Sequence, residues 1–343
     1  MDVERGAILV WGAGAIGGTI GAHLVRSGED VTFVDRDRDH VAAMQRKGLG
    51  ITGPVVEFTV AAKAVTPDKL QGRFARVFLC VKAQDTADAS RALLPHITED
   101  GYVVSAQNGL NELTMAKILG EARTVGCFVN FGADYMEPGV IHYAGRGSVV
   151  IGEIDGKETE RLQALHQLLR KFEDRAMLTR NIWGYLWGKL AYGAMLIATA
   201  LTNASIADCL ASERHRRLFI ALAREPLAVA AARKVVAEAF DGFDPTAFRP
   251  GMSEAAALSS LDQLVAFNRR SAKTHSGIWR DLAVRKRRTE TEVQLSPVVE
   301  LGGQHGVPTP LTARLIELIR DIETGRRVQG WEALDILGEA APP

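Results

Sequence analysis

Cysteine is scarce in this chain of 343 residues: Cys80, Cys127 and Cys209 are odd in number, far apart and each set in an apolar run. They form neither a disulfide framework nor a metal-ligand spacing, so buried, reduced thiols in a cytoplasmic protein are the expected state. Charge of one sign is also missing, because 41 Lys and Arg balance 41 Asp and Glu. That balance offers nothing specific to nucleic acid or to an anionic membrane. Long hydrophobic runs are absent too. The longest, Leu190 to Leu201, covers 12 residues, where a membrane span needs about 20. It reads as a buried helix. Asp2 and Glu4 precede the first apolar run, the wrong charge for a secretory leader. No internal repeat is seen, and low complexity is confined to Gly338–Pro343, expected to be a flexible tail.

What is present is an ordinary globular composition, 47% hydrophobic and 24% charged, in a chain long enough to favour two cores. Ala7-Ile8-Leu9-Val10-Trp11 is a short apolar run of the kind a buried parallel strand shows, and it leads into Gly12-Ala13-Gly14-Ala15-Ile16-Gly17. In this G-x-G-x-x-G, Gly12 permits a tight turn, Gly14 lets a pyrophosphate approach the backbone, and Gly17 lets the next helix pack closely. The helix from about Ala15 to Arg26 then aims free N–H groups at the phosphates. Val31-Thr32-Phe33-Val34 is a second strand, and Asp35 closes it where a ribose diol would be read. Strand, glycines, helix, strand and acid in this order predict a dinucleotide site.

Further along, Arg36–Gly48 reads as a helix and Ile51–Val65 as an extra hairpin. Val77–Val81 is a buried strand ending at Lys82, Asp85 is a candidate cap for a helix to Ile97, and Tyr102–Ser105 is a strand ending in Gln107-Asn108-Gly109. Cys127–Phe131 and Ser148–Ile151 complete the β signals. Alternating strands and helices predict an α/β, doubly wound parallel sheet of Rossmann type, with ligands beyond the strand C-termini, where Gly12, Asp35, Lys82 and Asn108 all fall. After about Thr179 only helices are expected: Ile182–Asn203, Ser212–Phe240, Ser253–Asp281, Glu290–Gln304 and Pro310–Glu323, with Asp241–Pro250 a loop. The expected organisation is a dinucleotide domain over 1–180, an all-helical substrate and dimerisation domain over 181–337, and the tail, with the active cleft between the two domains.

Lys189 sits at the start of the most apolar helix, in Trp187-Gly188-Lys189-Leu190-Ala191. There it is either a snorkelling lysine whose stem covers apolar surface, or a general acid whose pKa burial brings into the working range. Its place at the junction of the two domains favours the acid. Glu290, in Arg288-Thr289-Glu290-Thr291-Glu292, has a solvated helix glutamate as its bland alternative, and Arg285-Lys286-Arg287-Arg288 reads as a solvated, salt-bridged face. Of the histidines, His275 is the one rival donor, while His166 and His215 look like helix-surface residues.

Taken together, the GAGAIGG opening, Val81-Lys82, Gln107-Asn108-Gly109, LWGKL around Lys189, Thr289-Glu290 and Gly306-Val307-Pro308-Thr309-Pro310 resemble the ketopantoate reductase (2-dehydropantoate 2-reductase) family, in order and over nearly the whole chain. The resemblance implies an NAD(P)H-dependent reduction of a 2-oxo acid. It assigns the general acid to Lys189 and a substrate-holding and catalytic-group-holding role to Glu290. Lys82 and Asn108 would line the nicotinamide end of the cofactor, Gln107 and Glu290 would also contact the cofactor, and Ser276 is the nearest match to a substrate-binding serine. The chemistry of the reaction agrees, because a ketone under reduction develops negative charge on oxygen, which a proton-donating cation relieves. Ser276 and Glu290 are 14 positions apart, about 21 Å along a continuous helix. Both can touch one small substrate only if the helix breaks between Leu282 and Arg288.

Two departures qualify the resemblance. Where the family carries asparagines one and two turns after the lysine, this chain has Gly193 and Ile197, which removes polar contacts and suggests room for a bulkier or more apolar substrate. Asn203 is a candidate substitute on the same face. Arg36 stands where the family's arginine reads the 2′-phosphate of NADP, yet Asp35 beside it suits the plain ribose of NAD. The alternatives are a diverged NAD-dependent dehydrogenase of another hydroxy acid or bulkier alcohol, and a non-catalytic NAD(P) sensor. A homodimer through the helical domain is a further expectation.

Overall fold

The computed structural model describes residues 6–249, 251–270 and 274–340. The chain divides into two compact units, Met1–Ile182 and Trp183–Pro343.

The first unit begins β1 (Ile8–Trp11), α1 (Ala15–Arg26), β2 (Val31–Val34), α2 (Arg38–Lys47), β3 (Leu49–Thr52), β4 (Phe58–Val60), β5 (Lys63–Val65) and β6 (Phe74–Leu79). It continues with α3 (Thr86–Leu93), β7 (Ile97–Ser105), α4 (Asn111–Leu119), β8 (Thr124–Val129), β9 (Gly132–Glu137) and β10 (Val140–Gly145). The last elements are β11 (Val149–Glu153), α5 (Glu160–Leu169) and β12 (Met177–Leu178). An eight-stranded sheet has the order β12-β11-β8-β7-β6-β1-β2-β5. Every neighbouring pair is parallel except β8 with β11. Alternate residues of β1 enter opposite cores: Ile8 and Val10 pack with Phe33 and Phe78, Leu9 and Trp11 with Val77 and Leu79. Burial on both faces is why the strand reads as an unbroken apolar run.

Three local expectations need correction here. The segment 51–65 is not one hairpin. β3 and β4 pair antiparallel in a separate four-stranded sheet, β4-β3-β10-β9, while β5 joins β2 in parallel at the edge of the main sheet. Lys63 at that edge pairs with Asp30 at 2.7 Å, the kind of exposed charge that discourages edge-to-edge pairing. The β9–β10 hairpin was not anticipated; its sequence signal is Pro138-Gly139, with Gly139 at φ 83°. Asp85 makes no cap bond to α3; its carboxylate accepts from Arg36 at 3.0 Å instead.

The second unit is helical: α6 (Ile182–Thr199), α7 (Ile206–Ala211), α8 (Arg216–Ala232), α9 (Glu254–Arg270), α10 (Gly277–Trp279), α11 (Thr291–His305), α12 (Pro310–Glu323) and α13 (Trp331–Gly338). The expected helix 212–240 stops at Ala232, just before Lys234 at φ 60°. The expected helix 253–281 ends, among the described residues, at Arg270. The break between Leu282 and Arg288 is present: a π-turn ends at Val284 and α11 starts at Thr291. Buried Asp281 pins it by accepting from Arg285 at 3.0 Å and Arg287 at 2.9 Å. Those two arginines, with Arg288 on Glu292, make the basic run a salt-bridged face. His215 is not a surface residue; it is buried and its ring bonds Ser212 at 2.8 Å and Asp335 at 2.9 Å. The positions 341–343 of the expected flexible tail lie outside the described residues, and Gly338 ends α13. Among the described residues no helix is long and apolar enough to cross a membrane. The three cysteines are free, and burial pushes the Cys209 thiol up to about 11.

Glu225 ties two helices together. From the middle of α8 its carboxylate accepts from Leu311 N at 2.8 Å, Thr312 N at 2.7 Å and the Thr312 hydroxyl at 2.6 Å. It thus caps the N-terminus of α12, whose own cap residue Thr309 makes no side-chain cap bond. Burial raises its pKa and these three bonds oppose the rise. Glu225→Ala leaves two buried helix N–H groups without an acceptor, so chemical denaturation should show a loss of about 2–4 kcal/mol. Glu225→Gln, which keeps one acceptor oxygen, should lose less.

Candidate active site

At the C-terminal edge of the main sheet the glycine turn fits its proposed ligand position by position. Gly12 lies at φ 97°, and a Cβ there would stand 2.9 Å from the Cys80 carbonyl carbon. A Cβ on Gly17 would come 2.1 Å from the Gly12 oxygen, so α1 presses against the turn itself. Gly14 differs: a Cβ there meets no protein atom within 4 Å. Its missing side chain is not required by folding, which is what a glycine facing a ligand should show. α1 begins with Gly14 as its cap, without a side-chain cap bond and without an acid in its first turn. Its leading N–H groups are therefore disposed to bind an anion.

The turn is clamped on both sides of one residue. Ala13 N donates to Asp35 Oδ2 at 2.9 Å, and the other oxygen of Asp35 accepts from Asp37 N at 2.9 Å. The carbonyl of Ala13 receives His40 Nε2 at 2.9 Å, while His40 Nδ1 accepts from Gly139 N at 2.9 Å. A backbone N–H can only donate and a carbonyl only accept, so the imidazole is the Nε2–H tautomer. His40, a buried positioning residue, was not singled out from sequence; a histidine in a polar helix carries no signal that distinguishes it. Tyr135 extends the same network to Asp37 at 3.3 Å. Burial, followed by the Asp37 charge, pushes its phenol up to about 12.

Lys82 stands three residues past the end of β6 and is half-buried, and Asn108 is exposed just beyond β7, with its carbonyl fixed by Asn111 at 2.7 Å. Gln107, expected to contact the cofactor, turns inward instead. Its buried amide donates to Val81 O and to the Thr86 hydroxyl, both at 2.8 Å, so it holds the β6 and β7 ends in place. Ala15 and Ile16 lie in the first turn of α1. Arg36 is 75% exposed and reaches Asp85.

In the second unit, α6 is buried on most sides by Leu186, Trp187, Leu190, Ala191, Ala194, Met195 and Ile197. One stripe stays partly open: Tyr185, Lys189, Tyr192, Gly193 and Leu196, spaced as neighbours on one helix face. Two glycines of α6 have opposite reasons. A Cβ on Gly188 would stand 2.6 Å from Glu238 O, so close packing requires that glycine, whereas a Cβ on Gly193 meets nothing within 4 Å. Lys189 therefore has an empty volume one turn along its own face. Ile197 belongs to the core. Asn203 is not on the α6 face, because the helix ends at Thr199 and turns tied by the Thr199 and Thr202 hydroxyls follow. Its Oδ1 accepts from Trp279 Nε1 at 3.2 Å.

Trp279 also lies 4.0 Å, ring to ring, from His275, whose Nδ1 bonds the Thr274 hydroxyl at 2.9 Å. Ser276 is buried and caps α10 by accepting from Trp279 N at 3.2 Å, and its hydroxyl proton has no acceptor among the described residues. Asn203, His275 and Ser276 thus gather around Trp279, a residue the sequence reading did not single out. Glu290 stands half-buried at the N-cap of α11 between two buried threonines. Thr289 is fixed through N and hydroxyl to Glu323, each at 2.7 Å, and its hydroxyl also bonds Thr291. No cluster of His, Cys, Asp or Glu among the described residues could hold a metal ion.

The family models for ketopantoate reductase PanE/ApbA and for its C-terminal part match residues 8–156 and 181–323. The chain belongs to the ketopantoate reductase family. It is 28% identical over 328 residues to the 2-dehydropantoate 2-reductase of Archaeoglobus fulgidus, covering 95% of this chain and 100% of that protein. It is also similar to a solved PanE/ApbA family ketopantoate reductase from Ralstonia eutropha JMP134, at 25% identity and TM-score 0.77, covering 93% of this chain and 99% of that one. D-mandelate dehydrogenase, solved with NADH and anilino(oxo)acetate, shares the fold at 22% identity and TM-score 0.80, again covering 93% and 99%. As a ketopantoate reductase family member the chain is an NAD(P)-dependent oxidoreductase acting on CH–OH groups.

Gly14 supplies the test of how such a family member receives its dinucleotide. Gly14→Val should fold with only the small drop in melting temperature that an apolar helix cap brings, since no protein atom opposes the new side chain, yet calorimetry should find NADH and NADPH binding weakened by more than about tenfold. Intact binding would mean the pyrophosphate lies elsewhere.

Proposed function

We propose that this protein reduces a 2-oxo acid, ketopantoate or a close analogue, to the 2-hydroxy acid with NAD(P)H, and that Lys189 is the general acid. Residues 8–156 carry the dinucleotide site in this reading, and the helical unit carries the substrate groups. The nicotinamide, when bound, supplies hydride to the carbonyl carbon. Lys189 donates a proton to the carbonyl oxygen as negative charge develops there, and its ammonium stabilises that charge before the proton moves. Glu290, fixed by its threonine neighbours, orients the substrate and the lysine. Ser276 donates its free hydroxyl proton to the substrate, and Lys82 and Asn108 flank the reacting end of the cofactor. The observation that carries the proposal is Lys189 on the open stripe of an otherwise buried helix, beside the space that Gly193 leaves.

That space favours a second reading of the substrate. Without asparagine at 193 the face offers no amide to a small hydroxylated acid, while Tyr192 and Leu196 border the gap with apolar surface. A 2-oxo acid with a bulkier, more apolar substituent suits it better. Of the two cofactors, NADH fits better. The Asp35 carboxylate opposes a 2′-phosphate, and Arg36 would have to leave Asp85 to reach one.

The direct test is a panel of 2-oxo acids with NADH and NADPH, followed by nicotinamide absorbance in the native protein and in Lys189→Ala. The substitution should lower kcat by about 10²–10⁴ and leave cofactor affinity unchanged. A loss of less than about tenfold would remove Lys189 from the chemistry, and a native protein that binds cofactor but turns over no oxo acid would indicate a sensor. In the same panel, Gly193→Asn should move preference toward ketopantoate and away from bulkier acids, with no loss of stability.

A further inference from the structure

Away from the dinucleotide edge, the first unit contains a cavity of about 400 Å³ between the last turns of α1, the loop after β3 and the segment after α5. Arg26, at its mouth, lies roughly 16 Å along the α1 axis from Ala15. Two groups facing this cavity have unused hydrogen-bonding capacity. His23 gives Nδ1–H to the Thr19 carbonyl at 2.8 Å, which leaves Nε2 as a bare acceptor, with no partner among the described residues. Arg26 lies over the Phe58 ring at 4.6 Å and makes no ion pair with an acid among the described residues. Its neighbours at the mouth differ: Arg146 is paired with Glu173 and Asp174, and Lys171 with Glu29.

The charge count selects the ligand. No Asp or Glu lines the cavity, and one cation remains uncompensated, which suits a monoanion better than a phosphate dianion. The guanidinium fork matches a carboxylate. Burial and the nearby Arg26 and Arg146 hold the His23 imidazole below the usual histidine range, so its Nε2 calls for a donor on the ligand. The edges of Phe172 and Tyr143 stand 5.0 Å and 5.6 Å from His23, ring centre to ring centre, and present an apolar wall together with Val55 and Val56.

We propose that this cavity binds a small organic acid bearing one carboxylate and one hydroxyl on an apolar body. The carboxylate lies against Arg26, the ligand hydroxyl donates to His23 Nε2, and the apolar body lies on the rings of Phe172 and Tyr143 and on Val56. This is a ligand site distinct from the dinucleotide turn, in the same unit.

Fluorine NMR of 4-fluoromandelate with the full-length protein tests it, with 4-fluorophenylacetate and inorganic phosphate as comparators. Saturable binding is expected for 4-fluoromandelate, about tenfold weaker for the analogue without the hydroxyl, and no displacement by phosphate. Arg26→Gln should weaken the hydroxy acid by about tenfold while leaving the melting temperature and NADH affinity unchanged. His23→Phe should erase the difference between the two acids. Binding that survives Arg26→Gln but disappears in Lys189→Ala would place the probe in the catalytic site and overturn the proposal. Equal competition by phosphate, or no saturable binding, would overturn it as well.

Discussion

A single residue, Ala13, is gripped at both its N–H and its carbonyl, and the geometry of the dinucleotide edge depends on that grip. Asp35 takes its N–H from the end of β2, and His40 takes its carbonyl from α2 while holding Gly139 in the neighbouring hairpin. The turn is consequently shaped before any ligand arrives. Ordering entropy is removed from the binding step, the advantage of any preorganised site. The close approach of Gly17 to Gly12 then fixes where α1 starts, and so where its free N–H groups lie.

Asp35 acquires a double meaning from this clamp. In sequence it reads as a ribose ligand beside a competing Arg36. In the structure both its oxygens already hold backbone N–H groups, so its charge is fixed at the turn whether or not a ribose is present. Arg36 is meanwhile drawn across to Asp85, whose backbone is already helical at the end of a 3-10 turn and so is not set as an extended cap. That ion pair bears on cofactor choice.

The fold was legible because its signals are local and redundant. The unbroken apolar β1, the glycine spacing and the loss of β pattern after Thr179 each report burial or backbone conformation directly. The break after Val284 was legible through geometry, since two residues 14 apart cannot share a small ligand on one helix. What escaped was tertiary in origin. The roles of His40, Trp279 and the inward amide of Gln107 exist only through partners distant in sequence, and no periodicity encodes them. The segment 51–65 has strand propensity throughout, and pairing with β2, β10 or itself is decided by edges that only the assembled sheet presents. The two glycines of α6 make the same point: identical in sequence, one is demanded by packing at Glu238 O and the other by nothing in the protein.

Every step from cofactor to hydride requires the pyrophosphate of a nicotinamide dinucleotide to lie against the Gly12–Gly17 turn and the start of α1. Hydrogen–deuterium exchange of the full chain, with and without saturating NADH, measures this at the backbone itself. Slowed exchange concentrated in residues 12–18 and around Asp35 is the predicted result. Protection confined to other segments, with the glycine turn exchanging at the same rate in both states, would contradict it.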